Sequence, residues 1–433
     1  MSNKAKTTAM KPDGKPALTP KLRFPAFRGA GGWKAIPLNQ LAARGKQKNR
    51  DEKIVRVLTN SAEFGVMDQR DYFDKDIATQ GKLDGYFVVE LGDYVYNPRI
   101  STTAPVGPIS KNNIATGVMS PLYTVFKFKD RYNDFYAHYF KTTGWHAYMR
   151  QASSTGARHD RMAISSEDFI AMPMPVASPE EQQKIAECLS SVDELMSAQA
   201  RKLDALKTHK KGLMQQLFPR EGETQPRLRF PEFQDKGEWV NDSLGTIFDT
   251  SSGGTPDRSK EEYWNGNIPW ITTSRVSFNT ITEADELITD AGLKNSSAKV
   301  FPEKSILIAM YGQGKTRGQV AMLGIKAATN QACAAILPRK DIDPRFVFLN
   351  LGSRYEEMRG LSNSGGQENL SQGLIQGLQF SYPKDVVEQQ RIADCLTSLD
   401  DLIAAQSAKL EALKTHRKGL MQQLFPSFEE VEA

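Results

Sequence analysis

Residues 181–219 read EQQKIAECLSSVDELMSAQARKLDALKTHKKGLMQQLFP, and residues 388–426 read EQQRIADCLTSLDDLIAAQSAKLEALKTHRKGLMQQLFP. The two stretches lie 388 − 181 = 207 residues apart and are identical at 28 of 39 positions. A shorter repeat, the LRFP motif, precedes each of them, because LRFPAF at residues 22–27 returns as LRFPEF at residues 228–233. Self-similarity at nearly the same offset, 207 and 206 residues, predicts that the chain consists of two halves built on the same scaffold.

Both long stretches carry the pattern of an amphipathic helix. Apolar residues recur at alternating spacings of four and three, with polar residues at two equivalent places, which is the pattern of a heptad seam. The prediction of this seam rests on Leu189, Val192, Gln199, Leu203, Leu206, Leu396, Leu399, Gln406, Leu410 and Leu413. A serine at 178 before a proline and Glu181 supplies an N-cap and a capping box, Asp385 and Glu388 can do the same, and prolines follow both stretches. We predict long helices over residues 179–219 and 386–426.

Two arrangements of these helices are open. Each helix can pack on its own domain, or the two can pair with each other, which we favour because near-identical seams in one chain present matched surfaces. A lone polar residue in such a seam, here Gln199 and Gln406, typically fixes the register at some cost in stability. We therefore predict an α+β protein in which two mainly β domains are separated by two long antiparallel coiled-coil helices with a pseudo-two-fold relation.

The remaining segments set the domain boundaries. We predict a disordered leader at residues 1–20, a first globular domain at 21–178, a linker at 220–226, a second globular domain at 227–385 and an acidic tail at 427–433. Runs rich in β-branched and aromatic residues predict strands at 54–58, 86–89, 94–96, 123–128, 268–271, 305–310 and 332–337, with helices near 134–142 and 345–358. Residues 34–178 and 240–385 share no long identical stretch, so the scaffold is duplicated while the domains that it carries differ.

Composition narrows the class of protein. The net charge of +5 is unevenly distributed: residues 1–179 hold 26 Lys and Arg against 16 Asp and Glu, whereas residues 220–387 hold 19 against 21. By charge, the first domain is typical of a nucleic-acid binder and the second is not. The three cysteines form no CxxC pair, which fits a reducing cytoplasm and not a zinc ribbon. The N-terminus lacks the apolar core of a secretory signal, and no apolar run is long enough to cross a membrane.

Between the predicted strands lie loops rich in the residue types that contact base edges and phosphates. For any single loop a solvated surface is about as probable as a DNA contact. The exception is residues 311–317, where glycines permit close approach and Gln313, Lys315 and Arg317 supply donors. The candidate DNA-binding residues are Lys46, Lys48, Asn49, Arg50, Arg99, Lys111, Asn112, Asn113, Arg158, Arg161, Thr255, Ser274, Arg275, Tyr311, Gln313, Lys315, Arg317, Asn330, Gln331 and Gln367.

Two apparent catalytic motifs in the sequence each lack a required residue. Gly314, Lys315 and Thr316 follow an apolar strand, but a P-loop needs a glycine at position 309, which is alanine. Residues 97–99 read Asn-Pro-Arg and lack the aromatic ending of an amino-methyltransferase motif, and no glycine-rich cofactor loop accompanies them. We therefore predict no catalytic residues, no metal ligands and no enzymatic activity for this chain.

Taken together, the sequence resembles the specificity subunits of type I restriction–modification enzymes. The resemblance covers nearly the whole chain after the leader. It is carried by the LRFP motifs, by the two helices that end in GLMQQLFP, and by residues 254–256, 268–272, 309–318 and 329–333 of the second domain. The first domain supports it more weakly, through residues 161–165.

The resemblance implies a division of labour. Each globular domain is a target-recognition domain that reads one half of a split, asymmetric site in double-stranded DNA. The paired helices set the gap and dock two methyltransferase subunits, which methylate adenine N6, and up to two motor–nuclease subunits. This chain would bind no cofactor, and S-adenosylmethionine, ATP and Mg²⁺ would belong to the partner subunits. The alternative is a non-enzymatic interaction scaffold whose two domains bind protein or carbohydrate, favoured by the weak charge of the second domain.

Overall fold

The computed structural model of the chain describes residues 18–72, 83–155, 160–220, 222–312, 315–361 and 369–426. The chain divides into two compact units, unit 1 made of residues 1–199 and 409–433 and unit 2 made of residues 200–408. The boundaries between the units fall inside both repeated stretches. Each unit therefore contains one globular domain and a segment of each long helix.

The described part of unit 1 is mixed α and β, and α6 continues into unit 2. Its helices are α1 (Leu38–Leu41), α2 (Gln69–Tyr72), α3 (Asp134–Tyr139), α4 (His146–Ala152), α5 (Ser166–Ile170) and α6 (Pro179–Leu217). Its strands are β1 (Lys34–Pro37), β2 (Ala42–Arg44), β3 (Leu58–Ser61), β4 (Gly65–Asp68), β5 (Phe87–Val89), β6 (Tyr94–Tyr96), β7 (Ile109–Lys111), β8 (Gly117–Met119), β9 (Thr124–Phe128), β10 (Ser154–Thr155), β11 (Met162–Ala163) and β12 (Pro173–Val176).

The described part of unit 2 has larger sheets, and its last helix, α12, continues into unit 1. Its strands are β13 (Val240–Ser243), β14 (Thr250–Ser252), β15 (Trp264–Ile271), β16 (Asn279–Ile281), β17 (Glu286–Ile288), β18 (Val300–Phe301), β19 (Ile306–Ala309), β20 (Val320–Leu323), β21 (Ala327–Thr329), β22 (Cys333–Ile336) and β23 (Gln379–Tyr382). Its helices are α7 (Leu244–Ile247), α8 (Asp290–Lys294), α9 (Pro344–Ser353), α10 (Tyr355–Gly360), α11 (Gln372–Gly377) and α12 (Val386–Leu424).

The sheets of the two units have different topologies. Unit 1 contains a four-stranded antiparallel sheet in the order β2-β9-β6-β7, together with smaller two-stranded pairs. Unit 2 contains a five-stranded sheet in the order β14-β22-β19-β20-β16 and a four-stranded sheet in the order β17-β15-β21-β18. Each of these two sheets has one parallel pairing, β16 with β20 and β15 with β21. The difference agrees with the lack of sequence similarity between residues 34–178 and 240–385.

Each unit contains an equivalent pair of antiparallel strands, here called the basal strand pair. Strand β1 pairs antiparallel with β12 so that Lys34 faces Val176, and β13 pairs with β23 so that Val240 faces Tyr382. The offset is 206 residues on both strands, and the short helices α1 and α7 follow the same offset. The duplication therefore extends beyond the two repeats that the sequence shows, because backbone pairing needs no side-chain identity.

Two of the predicted elements are wrong in their bounds. The predicted strand at 54–58 overlaps only Leu58 of β3, and the predicted helix at 345–358 is two helices, α9 and α10. The other predicted strands and the helix near 134–142 coincide with β5, β6, β9, β15, β19, β22 and α3 within a few residues. The predicted leader also ends earlier, because Leu18 is buried and its carbonyl accepts a hydrogen bond from the Trp33 amide at 2.7 Å. Residues 1–17 and the acidic tail lie outside the described residues.

Helices α6 and α12 run antiparallel, as the contacts inside each unit show. In unit 1 Asp193 of α6 accepts a hydrogen bond from Arg417 of α12 at 3.1 Å (Nη2 to Oδ2). In unit 2 Lys210 of α6 lies 2.5 Å from Asp400 of α12. The partner position moves back along α12 as α6 advances, which confirms the predicted direction. The predicted seam residues are all buried or half-buried.

The helices also pack on the domains, so the two arrangements left open by the sequence coexist. In unit 1 the core that surrounds the aromatic sheet residues includes Leu189 from α6 and Leu424 from α12. In unit 2 the corresponding core includes Leu217 from α6 and Leu396 from α12. Burial of apolar surface at about 25 cal/mol per Å² is the main stabilising term of such contacts. Each long helix is therefore held by a domain core at both of its ends.

A buried ion pair joins the LRFP motif of unit 1 to the long helix. Arg23 donates two hydrogen bonds of 2.7 Å each to the carboxylate of Glu181, and the Trp33 indole donates a third at 3.1 Å. The expected capping-box role of Glu181 is therefore wrong, although Ser178 does cap the helix through the Glu181 amide at 3.3 Å. The hydrogen bonds to Glu181 raise the pKa of Arg23 above its ordinary value.

The same ion pair recurs in unit 2. Arg229 donates to both carboxylate oxygens of Glu388 at 2.7 and 2.8 Å, and Trp239 donates at 3.2 Å. Glu388 is fully buried. The arginine of each LRFP motif is thus conserved within the chain because a buried carboxylate needs it, which explains why the motif repeats together with the helix.

Candidate nucleic-acid interface

Unit 1 has a cleft of about 490 Å³ at the edge of its short strands. Its walls come from strand β3, from the loop after β6 and from the start of β11. They include Asn97, Arg99 and Arg161, together with three tyrosines, Tyr72, Tyr86 and Tyr123. Guanidinium groups beside aromatic and amide side chains are what base edges and phosphates need.

Two predicted loops meet in this cleft. Arg99 and Arg161 form an isolated antiparallel bridge, and the Met162 amide donates to the Pro98 carbonyl at 2.9 Å. Asp160 lies 3.9 Å from each arginine, which is too far for a strong ion pair, and Arg99 is exposed. Two cations that share one distant carboxylate leave an excess of positive charge at the mouth of the cleft. Of the candidates in unit 1, Arg99 and Arg161 are therefore the best placed.

The loop at residues 45–50 lies near the same edge. Lys48 bridges Phe87 of β5, and the Asn49 amide donates to the carbonyl of Tyr86, which lines the cleft. Lys46, Lys48 and Arg50 are exposed. These three cations remain candidates for contacts with phosphates.

Asn49 and Asn112, both predicted to contact DNA, serve the fold instead. Asn49 is buried and exchanges hydrogen bonds with the backbone of Ile54, at 2.9 Å to its carbonyl and 3.2 Å from its amide. Asn112 is fully buried and donates to the carbonyls of Glu90 and Ala115 at 3.0 and 2.9 Å. A buried amide that satisfies backbone groups is a turn-forming residue, because its hydrogen bonds are already used.

The neighbours of Asn112 differ from it. Lys111 is half-buried and lies 2.7 Å from Asp134, so its charge is largely neutralised. Asn113 is exposed and remains a candidate. Arg158 lies outside the residues that the structure describes.

In unit 2 the predicted loops around residues 255, 274 and 330 converge at the ends of β15 and β21. Thr255 donates to the Gln331 side chain at 2.6 Å, and the Asn330 amide donates to the Ile271 carbonyl at 3.0 Å. Glycine is required at 253, because a Cβ there would lie 2.0 Å from the Thr329 carbonyl oxygen. Close backbone packing thus brings three loops together that are up to 76 residues apart in sequence.

The charge of this cluster is lower than its sequence suggests. Arg275 pairs with Asp285, with its Nε 2.8 Å from Oδ2, and also with Glu283 at 3.4 Å. Ser274 is exposed and shares a hydrogen bond of 2.6 Å with Thr272. The exposed polar groups are therefore mainly hydroxyls and amides, which contact base edges without adding net charge.

The loop at residues 311–317 is partly structural, which corrects the prediction for Arg317. Arg317 is only 8 % exposed and donates to the carbonyl of Arg359 at 3.1 Å. The Tyr355 hydroxyl donates to the Lys315 carbonyl at 2.5 Å, so the loop is anchored on α10. Tyr311 and the Lys315 side chain are exposed and remain candidates, whereas Gln313 and Gln367 lie outside the described residues.

Cys333 of unit 2 is buried, and the possible metal ligands among the described residues are not grouped. Burial raises the pKa of the Cys333 thiol, behind the residue 330 loop, to about 12, so this cysteine is protonated at neutral pH. Among the described residues, no three His, Cys, Asp or Glu side chains are grouped as metal ligands. No described helix is long and apolar enough to span a membrane.

The sequence reasoning missed the tyrosines of the unit 1 cleft. Tyr86 and Tyr123 directly precede β5 and β9, and the sequence pattern predicts only that they belong to strands. Their position beside Arg99 depends on how β5 and β9 are placed in the fold, and no local pattern signals that proximity.

Part of unit 2 is similar to a known protein domain. Residues 236–415 match the family model described as the type I restriction modification DNA specificity domain. This part of the chain is similar to that domain, and the match covers less than half of the chain. The match begins just before β13 and ends inside α12, so it contains the convergent loops of unit 2 and most of the second long helix.

The curated relatives are named as specificity subunits of type I restriction enzymes. The chain is 29 % identical over 169 residues to the Type I restriction enzyme EcoR124I/EcoR124II specificity subunit of Escherichia coli, covering 38 % of this chain and 41 % of that protein. It is 26 % identical over 197 residues to the Type I restriction enzyme MjaIX specificity subunit of Methanocaldococcus jannaschii, covering 44 % and 45 %. The alignments thus span less than half the length of these specificity subunits.

The fold extends the similarity to nearly the full length. A chain from a structure of complex assembly in the type I restriction–modification system superposes with a TM-score of 0.56 at 15 % identity, covering 91 % of this chain and 98 % of that one. The crystal structure of the S subunit from M. genitalium gives a TM-score of 0.55 at 16 % identity, covering 95 % and 100 %. At such identities the likeness shows the fold alone.

Proposed function

We propose that this chain is the DNA-recognition subunit of a type I restriction–modification complex. In this proposal the two globular domains each read one half of a bipartite, asymmetric DNA site. The observation that carries the proposal is the duplicated scaffold, in which helix, LRFP motif and basal strand pair recur at one period while the sheets above them differ. Two different readers on one repeated support suit a site with two different halves.

The charges of the two units support different kinds of contact. The cleft of unit 1 brings Arg99 and Arg161 together, in the half of the chain with the larger positive charge. The convergent loops of unit 2 present hydroxyls and amides, with Arg275 neutralised. We expect the first half-site to depend more strongly on salt than the second, because phosphate contacts release counterions.

The partners and cofactors belong to the same proposal. The paired helices would support two methyltransferase subunits and up to two motor–nuclease subunits. S-adenosylmethionine, ATP and Mg²⁺ would be bound by those subunits, and this chain would perform no chemistry itself.

Exchange of one domain tests the proposal. Residues 34–178 are replaced by the corresponding residues of a related specificity subunit, and the methylated sites of a host that carries the complex are sequenced. One half of the recognised sequence should change while the other stays the same. Alteration of both halves would contradict two independent readers, and loss of site-specific methylation with an intact complex would contradict DNA reading by unit 1.

A finer test concerns the cleft. Arg99→Ala or Arg161→Ala should weaken binding to the cognate duplex by about 1–3 kcal/mol if the arginine contacts a base edge. Arg28→Ala is the matched control, because Arg28 is exposed in the LRFP segment of the same unit and lies outside the cleft. A contact with phosphate would instead weaken binding to all sequences and reduce the salt dependence.

The alternative is a scaffold whose domains bind protein or carbohydrate. It predicts that the assembled complex shows no preference among duplex sequences. Binding of the complex to a set of randomised duplexes separates the two functions directly.

A further inference from the structure

An exposed aromatic residue of unit 2, Phe278, lies between two of the candidate DNA-binding segments. It follows the segment at residues 272–275 and directly precedes β16. Its ring packs edge-on against Tyr355 of α10, with 5.2 Å between the ring centroids and an interplanar angle of 83°. The Tyr355 hydroxyl in turn donates to the Lys315 carbonyl. Phe278 therefore adjoins both the segment before β16 and the loop at residues 311–317.

The ring of Phe278 is supported on one side and exposed on the other. A Cβ at Gly352 would lie 3.8 Å from Cδ1 of Phe278, so this edge of the ring rests on the end of α9. Phe278 is nevertheless 41 % exposed, and its neighbours Ser277 and Asn279 are exposed polar residues. The ring is thus an apolar projection from a polar surface, held in place from behind.

The backbone of Phe278 is in the left-handed region, with a φ of 53°. Its amide donates to the Val320 carbonyl at 2.8 Å, which fixes this conformation. A bulky side chain is disfavoured at positive φ, whereas glycine and asparagine tolerate it. Of the four described residues other than glycine that have a positive φ, Phe278 is the only apolar one. Folding favours another residue at this exposed turn, and backbone strain of this kind is concentrated at sites that contact ligands.

Unit 2 also lacks the free positive charge on which phosphate contacts depend. Residues 220–387 hold 19 Lys and Arg against 21 Asp and Glu. Arg275 is paired with Asp285, and Arg317 is buried. A domain with this charge needs a source of DNA affinity other than phosphate contacts. An aromatic ring supplies one, because it stacks on the faces of bases whatever the charge around it.

We propose that Phe278 is a wedge that inserts between two neighbouring base pairs of the half-site read by unit 2. The inference rests on the proposed function, because it names a contact by which unit 2 reads DNA. Insertion of an apolar side chain unstacks one base step and kinks the duplex. Pyrimidine–purine steps deform most easily, so the wedge selects such a step by the cost of unstacking it. Ser277 and Asn279 supply a hydroxyl and an amide for the base edges beside the wedge.

The experiment detects unstacking with 2-aminopurine, a base whose fluorescence rises when it leaves the stack. The full chain is assembled with the methyltransferase subunits of the proposed complex, and the duplex carries the site found by methylome sequencing. 2-Aminopurine replaces each purine of the half-site in turn, except the methylated adenine, whose own extrusion would raise the fluorescence. The unmodified complex should give a several-fold rise at one pyrimidine–purine step.

Variants of Phe278 then identify the wedge. Phe278→Asn suits the left-handed backbone, and it should abolish the rise and weaken binding by about tenfold or more. The dependence of affinity on salt should stay the same, because no phosphate contact is lost. Phe278→Gly, which the backbone also favours, should behave likewise, whereas Phe278→Leu keeps an apolar wedge and should keep the rise. Leu287→Asn is the matched control, because Leu287 is 40 % exposed on β17 of the same unit, and it should change neither fluorescence nor affinity.

The other outcomes each contradict the proposal in a different way. If Phe278→Asn weakens binding but the unmodified complex shows no rise at any step, the ring contacts the duplex without inserting. If the rise persists in folded Phe278→Asn and Phe278→Gly, another residue unstacks the step. If affinity and salt dependence fall together, the lost contact was with phosphate. A complex that binds all duplexes alike would overturn the proposed function, and the wedge with it.

Discussion

Replacing Glu181 by glutamine should open the junction between the LRFP motif and the long helix. Glu181 is 1 % exposed and accepts two hydrogen bonds from Arg23, which is nearly buried. Glutamine has the same shape but carries no charge, and its amide nitrogen would place a donor against the donors of Arg23. Breaking a buried ion pair from one side costs about 3–5 kcal/mol, because the remaining charge stays buried without its partner.

The Leu22 amide reports this opening. It donates to the carbonyl of Gln423 in α12 at 2.9 Å, so its hydrogen exchange requires the LRFP motif to separate from α12. At about 1.4 kcal/mol per tenfold change, 3–5 kcal/mol accelerates exchange by roughly a hundredfold to a few thousandfold. Hydrogen exchange of the full chain, followed by mass spectrometry of the peptide that contains Leu22, measures this rate.

Glu180→Gln is the matched control. Glu180 is the exposed neighbour in the same first turn, so its replacement removes the same favourable interaction with the helix dipole, about 0.3–1 kcal/mol, and nothing else. The double variant Arg23→Met with Glu181→Met should recover much of the loss, because apolar residues can replace a buried pair at little cost. Equal exchange rates in Glu181→Gln and Glu180→Gln, within about threefold, would refute this account of the junction.

Three further predictions follow from other parts of the structure. Burial lowers the pKa of His138 to about 4, so the unfolded chain binds a proton at this histidine more readily than the folded chain does. The stability that the neutral histidine contributes is complete at pH 7 and is lost as the pH falls from about 6.5 toward 4, and His138→Gln should flatten that part of the pH profile measured by urea denaturation. Asn112→Ala should cost about 1–3 kcal/mol of stability in the same assay and leave DNA affinity per folded molecule unchanged, whereas Asn113→Ala should leave stability unchanged; equal stability losses would contradict the assignment. Insertion of seven residues after Ala198 keeps the heptad phase, and methylome sequencing should show unchanged half-sites with a longer gap, whereas an active variant with the original gap would exclude the helices as the ruler.

Much of the scaffold was predictable because its signals are local or repeated. The helices observed at Pro179–Leu217 and Val386–Leu424 end two residues before the predicted ends. Periodicity and flanking prolines report directly on a helix, and duplication removes the ambiguity of a single pattern. The ion pair of Glu181 with Arg23 was not predicted, because a glutamate at this position of the helix suits a capping box and a buried ion pair equally well.

The candidate site was less predictable, because burial decides which polar residues are available. Asn49, Asn112 and Arg317 have the composition of contact residues and serve the fold instead. Arg99 and Arg161 belong to separate predicted loops, and only the fold shows that they share a cleft.

The sequence by itself determined that the chain has two halves, two long helices and two unlike domains, since these depend on periodicity and on comparison of the chain with itself. Only the tertiary structure decided which loops converge and which polar side chains are buried and hydrogen-bonded inside the protein. It also revealed that nearly identical helix ends line a basic groove in each unit. Those features depend on pairing between residues distant in the chain, and hydrogen bonding and burial at such contacts leave no periodic trace in the sequence.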